Sequence, residues 1–357
     1  MPLIIDGGRV PTRWAEKKGS TSRILIDSYV ARARCVTVAL INNMPDPALE
    51  DTEIQFFDLL DAVAGDIPVR LKLYSLPKIP RSDRGQQHLS SFYFDIEDLW
   101  NSPFDGVIMT GTEPRQPDLR DETYWSALVA VLDWAEQNTA STVLSCLAAH
   151  AGVLYSDGVE RHRLSDKHLG VFEYRRVSDH PLTSHSPKLV RFPHSRWNEV
   201  REDALASCGY DVLTKSGKYG VDSFVKKKKR SLFVHFQGHP EYGAATLLKE
   251  YRRDIKRFFA HERETYPSMP RGYFDPPATR LLVEFQEKAL SQPSEELLST
   301  FPDASLARTI ENTWHSSATC LYSNWLQYLA SRKAESPVFA VTRVGSTRST
   351  RANNEVA

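Results

Sequence analysis

The chain has 357 residues, 41% of them hydrophobic and 25% charged, a composition that suits an ordinary soluble globular protein with one large α/β domain or two smaller ones. Its 45 basic residues balance 45 acidic ones, so no global field recruits nucleic acid or an anionic membrane surface. No apolar run is long enough to span a bilayer, no signal-peptide core opens the chain, and Cys35, Cys146, Cys208 and Cys320 form no CxxC pair; this argues for a reducing cytoplasm and against a zinc or disulfide framework.

In chain order, Met1 to Arg34 is weakly patterned and is expected to be an extension lying on the domain. Cys35 to Ile41 is a buried-strand run, closed by Asn42-Asn43-Met44-Pro45-Asp46-Pro47, a rigid irregular loop. Thr52 and Gln55 have capping-box spacing, and Ile54, Phe57, Leu60 and Val63 follow at helical period, which predicts a helix after that loop. Val69 to Tyr74 alternates with period two and predicts a second strand. Ser90 to Leu99 is expected to be a loop plus a short helix, and Phe104 to Thr110 a third strand ending at Gly111. A polar loop over Thr112 to Asp121 precedes an amphipathic helix from Glu122 to Asn138. Ser141 to Ser145 is a fourth strand, and Leu147 onward is helical. Strands alternating with helices in this way predict a parallel sheet with helices on both faces, whose sites lie beyond the carboxyl ends of the strands. Asn42, Asn43, Gly111 and Cys146 would share that edge.

Ser156 to Arg230 is richer in turns, His and Arg; its basic run Lys226 to Arg230 lies between two apolar stretches and is expected to be a solvated hairpin turn rather than a nucleic-acid patch. A strand over Leu232 to Phe236 leads into Gln237-Gly238-His239-Pro240-Glu241-Tyr242, and a helix is expected from Ala244 to Phe259. The tail from Ser336 to Ala357, rich in Ser, Thr, Arg and Asn, is expected to be disordered.

Two constellations carry chemistry. Cys146 stands at the joint of a strand and a helix, where a nucleophile elbow would expose its sulfur and the helix N-terminus would aim free N–H groups at what it attacks; a buried structural cysteine is the competing reading. His239 and Glu241 follow a strand end, where a base and the carboxylate that orients it would serve such a nucleophile. Cys first, then His and Glu late in the sheet, is the arrangement of class I glutamine amidotransferases.

The stretch Gly238-His239-Pro240-Glu241-Tyr242, with Thr246-Leu247 and Glu250 to Asp254, resembles the homoserine O-succinyltransferase family. Further matches are Asn43-Met44-Pro45, Glu53 with Gln55-Phe56, His88-Leu89, Phe92-Tyr93, Thr110-Gly111, Lys167 with Gly170-Val171, Pro193 to Arg196, and Trp314 with Ser316 and Asn324-Trp325-Leu326. They run collinearly from Val36 to Leu329, which is more specific than any single motif. The resemblance implies a class I glutamine amidotransferase-like, flavodoxin-like three-layer α/β fold. The corresponding division of the chain is an extension over 1–35, an acyltransferase domain over 36–333 and a tail over 334–357. It implies acyl transfer from an acyl-CoA co-substrate, succinyl-CoA or acetyl-CoA, to homoserine through an acyl-Cys146, in methionine biosynthesis. His239 would be the base and Glu241 its partner; Lys167, Arg196, Glu250 and Arg253 would line the amino-acid pocket. No metal and no tightly held cofactor are implied, and a cytoplasmic homodimer is expected.

Three departures from the family pattern stand out. Asp46-Pro47 replaces lysines after Met-Pro, leaving Asn42, Asn43 and the Leu147 N–H as candidate oxyanion donors. Arg115 occupies the position linked to the choice of acyl donor, where it would clamp a succinyl carboxylate or face solvent. Ser145 and Leu147 to His150 replace bulkier residues, with His150 either core or a second titratable group near the thiol. The alternatives are another acceptor such as L-serine, an amidotransferase-like hydrolase, and a non-catalytic relative.

Overall fold

The structure, a computed structural model, describes residues 3–6, 13–14, 16 and 35–335. Strands β1 (Leu3–Ile5), β2 (Val36–Ile41), β3 (Val69–Tyr74), β4 (Gly106–Thr110), β5 (Ser141–Ser145), β6 (His162–Arg176), β7 (Leu189–Glu199), β8 (Asp211–Ser216), β9 (Gly220–Lys228) and β10 (Ser231–Phe236) form one sheet in the order β1-β3-β2-β4-β5-β10-β9-β8-β6-β7. The first six positions of that order are mutually parallel, and the last four form an antiparallel wing. The expected mostly parallel sheet with covered faces is observed. Its central strands are apolar along their length because both faces are buried.

On one face, α1 (Asp46–Ala64) packs with α10 (His315–Glu335); Phe56, Phe57, Leu60, Trp325 and Leu329 fill that layer. Each such side chain taken fully out of water contributes about 1.5–3 kcal/mol. Between α1 and β4 lie the short helices α2 (Asp83–Phe92) and α3 (Ile96–Asn101). The other face is covered by α4 (Trp125–Asn138) and α5 (Leu147–Asp157). After the short α6 (Glu202–Ser207) in the wing, α7 (Thr246–Phe259), α8 (Pro276–Ser291) and Trp314 build a satellite core beyond β6, with α9 (Asp303–Ala307) at its edge.

Several boundaries differ from the sequence reading. The first helix begins at Asp46, with Pro45 at the N-cap and a proline in its first turn, so Thr52 and Gln55 are interior residues rather than a cap. Ser90 to Phe92 closes α2, which starts where the Ser82 hydroxyl accepts from Gly85 N–H. The fourth helix starts at Trp125, after a 3-10 turn over Leu119–Asp121. The basic run lies on the β9–β10 hairpin, where Lys226 and Lys228 pair with Asp157 and Lys229 with Glu136. Within the N-terminal extension, Leu3–Ile5 adds a parallel edge strand beside β3. The tail expected to be disordered lies outside the described residues.

Candidate active site

Three strand ends converge. β5 lies between β4 and β10, with Thr110 and Phe236 both opposite Ser145. Cys146 follows β5, and its N–H donates to the Phe236 carbonyl at 2.8 Å. The chain turns sharply there: Cys146 has φ 51°, a left-handed conformation that a non-glycine residue adopts only where its surroundings impose it. The side chain is half-buried rather than sealed in the core. Leu147 opens α5, whose first N–H groups have no intrahelical acceptor.

His239 leaves the end of β10, its N–H bonded to the Pro193 carbonyl at 2.9 Å. Its Nδ1 lies 2.8 Å from Glu241 Oε1, and Cys146 is near enough for its charge to act on the ring. Burial disfavours charge on this imidazole, but the negative charges of Cys146 and Glu241 outweigh it and raise its pKa well above the ordinary histidine value. Ser145 Oγ donates to the same Glu241 oxygen at 3.2 Å, while Glu241 Oε2 is buried without a partner among the described residues. A cleft of about 760 Å³ opens beside Glu241 and Tyr242, bordered by Gln55, Thr246, Lys249 and His315.

Of the remaining expected site residues, Glu250, Arg253 and Lys167 form one connected group. Tyr242 Oη donates to Glu250 Oε1 at 2.7 Å, and Glu250 Oε2 is buried with no partner among the described residues. Arg253 reaches Asp254 at 3.3 Å and keeps 41% of its side chain exposed. Lys167 Nζ donates to the other Asp254 oxygen at 2.7 Å. Burial works against the Asp254 carboxylate, but the Lys167 and Arg253 charges win and hold it below the usual carboxylate range. Glu250 and Arg253, three apart on α7, share no direct hydrogen bond, yet against the cost of burial the Glu250 charge, ahead of that of Asp254, raises the Arg253 pKa.

Arg196 stands apart. It is 3% exposed, and its guanidinium donates to His194 Nδ1, the Asn198 carbonyl and the Tyr219 carbonyl at 3.1, 2.7 and 3.1 Å. These bonds brace β7 and tie it to the turn between β8 and β9, a different task from the carboxylate recognition expected of it. Both hydrogens of the Asn42 amide go to the Leu49 carbonyl and Tyr93 Oη, which leaves that side chain no donor for an oxyanion. Asn43 ties the loop to Thr110 and Leu76. Asp46 is a loop anchor: its carboxylate accepts from Ser82 N–H and Oγ, each at 2.6 Å, and pairs with buried Arg81. Arg115 is exposed, its backbone N–H held by Glu122 at 2.5 Å.

His150 is core, 3% exposed. Gln237 Oε1 already accepts from Val200 N–H at 2.8 Å, and it also meets His150 Nε2 at 3.0 Å, so that ring nitrogen carries the hydrogen. Burial pushes the His150 pKa down to about 3. Sequence reasoning passed over Ser145, Tyr242 and Asp254 as individual actors. No spacing marks them, because each acquires its role from a partner on another element.

A sequence model of the homoserine O-succinyltransferase family matches residues 26–336. Relatives named homoserine O-succinyltransferase include one from Rhodopseudomonas palustris, 44% identical over 84% of this chain and 90% of its own length. Another, from Thiothrix nivea, is 36% identical over 91% of each chain. Solved structures are more distant: a glutamine amidotransferase from Thermotoga maritima is 13% identical over 83% of this chain and 98% of that one, with a TM-score of 0.44. The matched range takes in the elbow, the His-Pro-Glu turn and α7, and the chain belongs to the homoserine O-succinyltransferase family.

Proposed function

We propose that the protein transfers a succinyl group from succinyl-CoA to the hydroxyl of L-homoserine, through an acyl-enzyme on Cys146, in methionine biosynthesis. The observation that carries this reading is the Cys146–His239–Glu241 alignment on one sheet edge, with Cys146 on a left-handed turn. In the first half-reaction the Cys146 sulfur, paired with the His239 imidazolium, attacks the thioester carbonyl. The tetrahedral intermediate collapses, and the departing CoA sulfur takes the proton from His239. In the second half, neutral His239 removes the homoserine hydroxyl proton as that oxygen attacks the acyl-cysteine. Cys146 then leaves as thiolate against the re-formed imidazolium. Glu241 holds the ring through Nδ1, and the Leu147 N–H meets the developing oxyanion.

For the acceptor, the free oxygen of Glu250 suits an ammonium and the half-exposed Arg253 guanidinium a carboxylate. Lys167 acts through Asp254, which sets Arg253 in place. The succinyl group rests on the relatives' shared name and on the cationic Arg115 in the loop beyond Gly111. The setting we propose is a cytoplasmic homodimer; the four cysteines are free, and no helix among the described residues is long and apolar enough to cross a membrane.

Intact mass after separate incubation with succinyl-CoA and acetyl-CoA tests the reading. One succinyl adduct, absent in Cys146→Ala and discharged by homoserine, is the expected result. An acetyl adduct, or discharge by L-serine in preference, would redirect donor or acceptor. Ammonia release from glutamine would indicate a hydrolase, and no adduct from either thioester a non-catalytic relative.

A further inference from the structure

Tyr242 touches both halves of this site. Its ring stacks on the His239 imidazole with centroids 4.1 Å apart and planes 17° from parallel. Its hydroxyl donates to Glu250 Oε1 at 2.7 Å. The residue is 6% exposed, and its backbone is pinned twice: its N–H donates to the His239 carbonyl at 3.1 Å, and its carbonyl accepts from Trp314 Nε1 at 2.8 Å. One rigid side chain therefore spans from the base to the carboxylate at the acceptor end.

We propose that Tyr242 is a positioning residue that sets the acceptor carboxylate Glu250 in register with His239. The inference rests on the acyl-transfer reading above and deepens it. A hydroxyl group can give up its proton to His239 only if the amino acid carrying it is anchored at a fixed distance from that ring. Glu250 sits on α7, whereas His239 sits on the turn after β10, so no shared backbone element holds them together. The phenol supplies the link. It occupies one Glu250 oxygen and leaves Oε2 for the ammonium, which selects one of the two ways a carboxylate can present itself. Burial, followed by the charges of Glu250, Glu241 and Cys146, raises the pKa of the phenol well above its ordinary value, so it remains a donor at neutral pH. The electron-rich ring face also favours the imidazolium that each half-reaction passes through.

The test separates the two half-reactions in the full-length enzyme. Tyr242→Phe keeps the ring and removes the hydroxyl. The burst of CoA released from succinyl-CoA without acceptor should stay within about twofold of wild type, while KM for homoserine rises about tenfold or more, the usual scale for a hydrogen bond to a charged group. In a Glu250→Gln background the same substitution should add less than about twofold, because the two changes break one interaction. A burst slowed as much as the acceptor step, an unchanged KM, or fully additive effects would each overturn the inference. Absence of a CoA burst from the wild-type enzyme would instead remove the acyl-transfer reading on which it depends.

Discussion

Gly111 lies against the backbone nitrogen of Leu147, so close that a Cβ at 111 would come within 2.9 Å of that nitrogen and 2.5 Å of the Leu147 Cβ. The approach follows from β4 and β5 being parallel neighbours that end in register, Thr110 opposite Ser145. The N–H we assign to the oxyanion thus opens toward a position that only a residue without a side chain leaves clear. Gly111→Ala should lower the rate of acyl transfer by about two to three orders of magnitude, the scale of one lost oxyanion donor. Steady-state CoA release, read beside an unchanged near-UV circular dichroism spectrum, checks it; turnover close to wild type would relocate the oxyanion donor.

Glu241 and Cys146 raise the pKa of His239 above that of a free histidine, and the sign of the consequence follows. A raised folded-state value stabilises the fold in full below the unfolded value of about 6.5, and that contribution is lost as pH climbs through the folded value. Glu241→Gln should therefore make His239 titrate at lower pH, followed by nitrogen chemical shifts of its ring. The gap in melting temperature between wild type and variant should be widest near pH 6 and narrow toward alkaline pH. A gap independent of pH would show that the carboxylate acts on the ring only sterically.

His150 and His235 behave oppositely. Burial pushes both down to about 3, and His235 stacks on Phe224 at 4.7 Å with its planes 8° apart. Such groups stay neutral in the fold but take up protons when unfolded. Their contribution is present above about pH 6.5 and is lost as pH falls toward 3. His235→Phe keeps an aromatic ring against Phe224 and removes the titration. It should move the midpoint of acid unfolding down by about half a pH unit at little change in neutral stability. An unmoved midpoint, followed by far-UV circular dichroism, would rule out a role for His235 in acid sensitivity.

Placing a basic residue at position 46 should harm this protein. The Asp46 carboxylate binds Ser82 and Arg81, and Gly85 lies so near that a Cβ there would meet Asp46 Oδ1 at 2.3 Å. Burial opposes the carboxylate, yet the Ser82 and Arg81 hydrogen bonds hold its pKa below the ordinary value. Asp46→Lys removes those bonds and sets a cation beside Arg81, costing about 2–3 kcal/mol in urea unfolding. A variant as stable as wild type and faster in turnover would show that the loop retains a place for the cation.

Much of this protein was legible in its residues. The β-branched run into Cys146, the His-Pro-Glu turn and the four buried strands rest on local periodicity and turn chemistry, and they sit where those rules put them. The pairing of partners was decided elsewhere. That β10 inserts beside β5, bringing His239 to Cys146 across nearly a hundred residues of chain, depends on which buried edges meet. The same holds for Arg196, which donates to His194 and to two carbonyl groups of the wing, and for Glu250, whose hydrogen-bond partner is a tyrosine on the preceding loop rather than the arginine three residues on. Sequence spacing reports which face of an element a side chain occupies; what fills the hydrogen-bonding capacity of that side chain is settled only when the elements close around it.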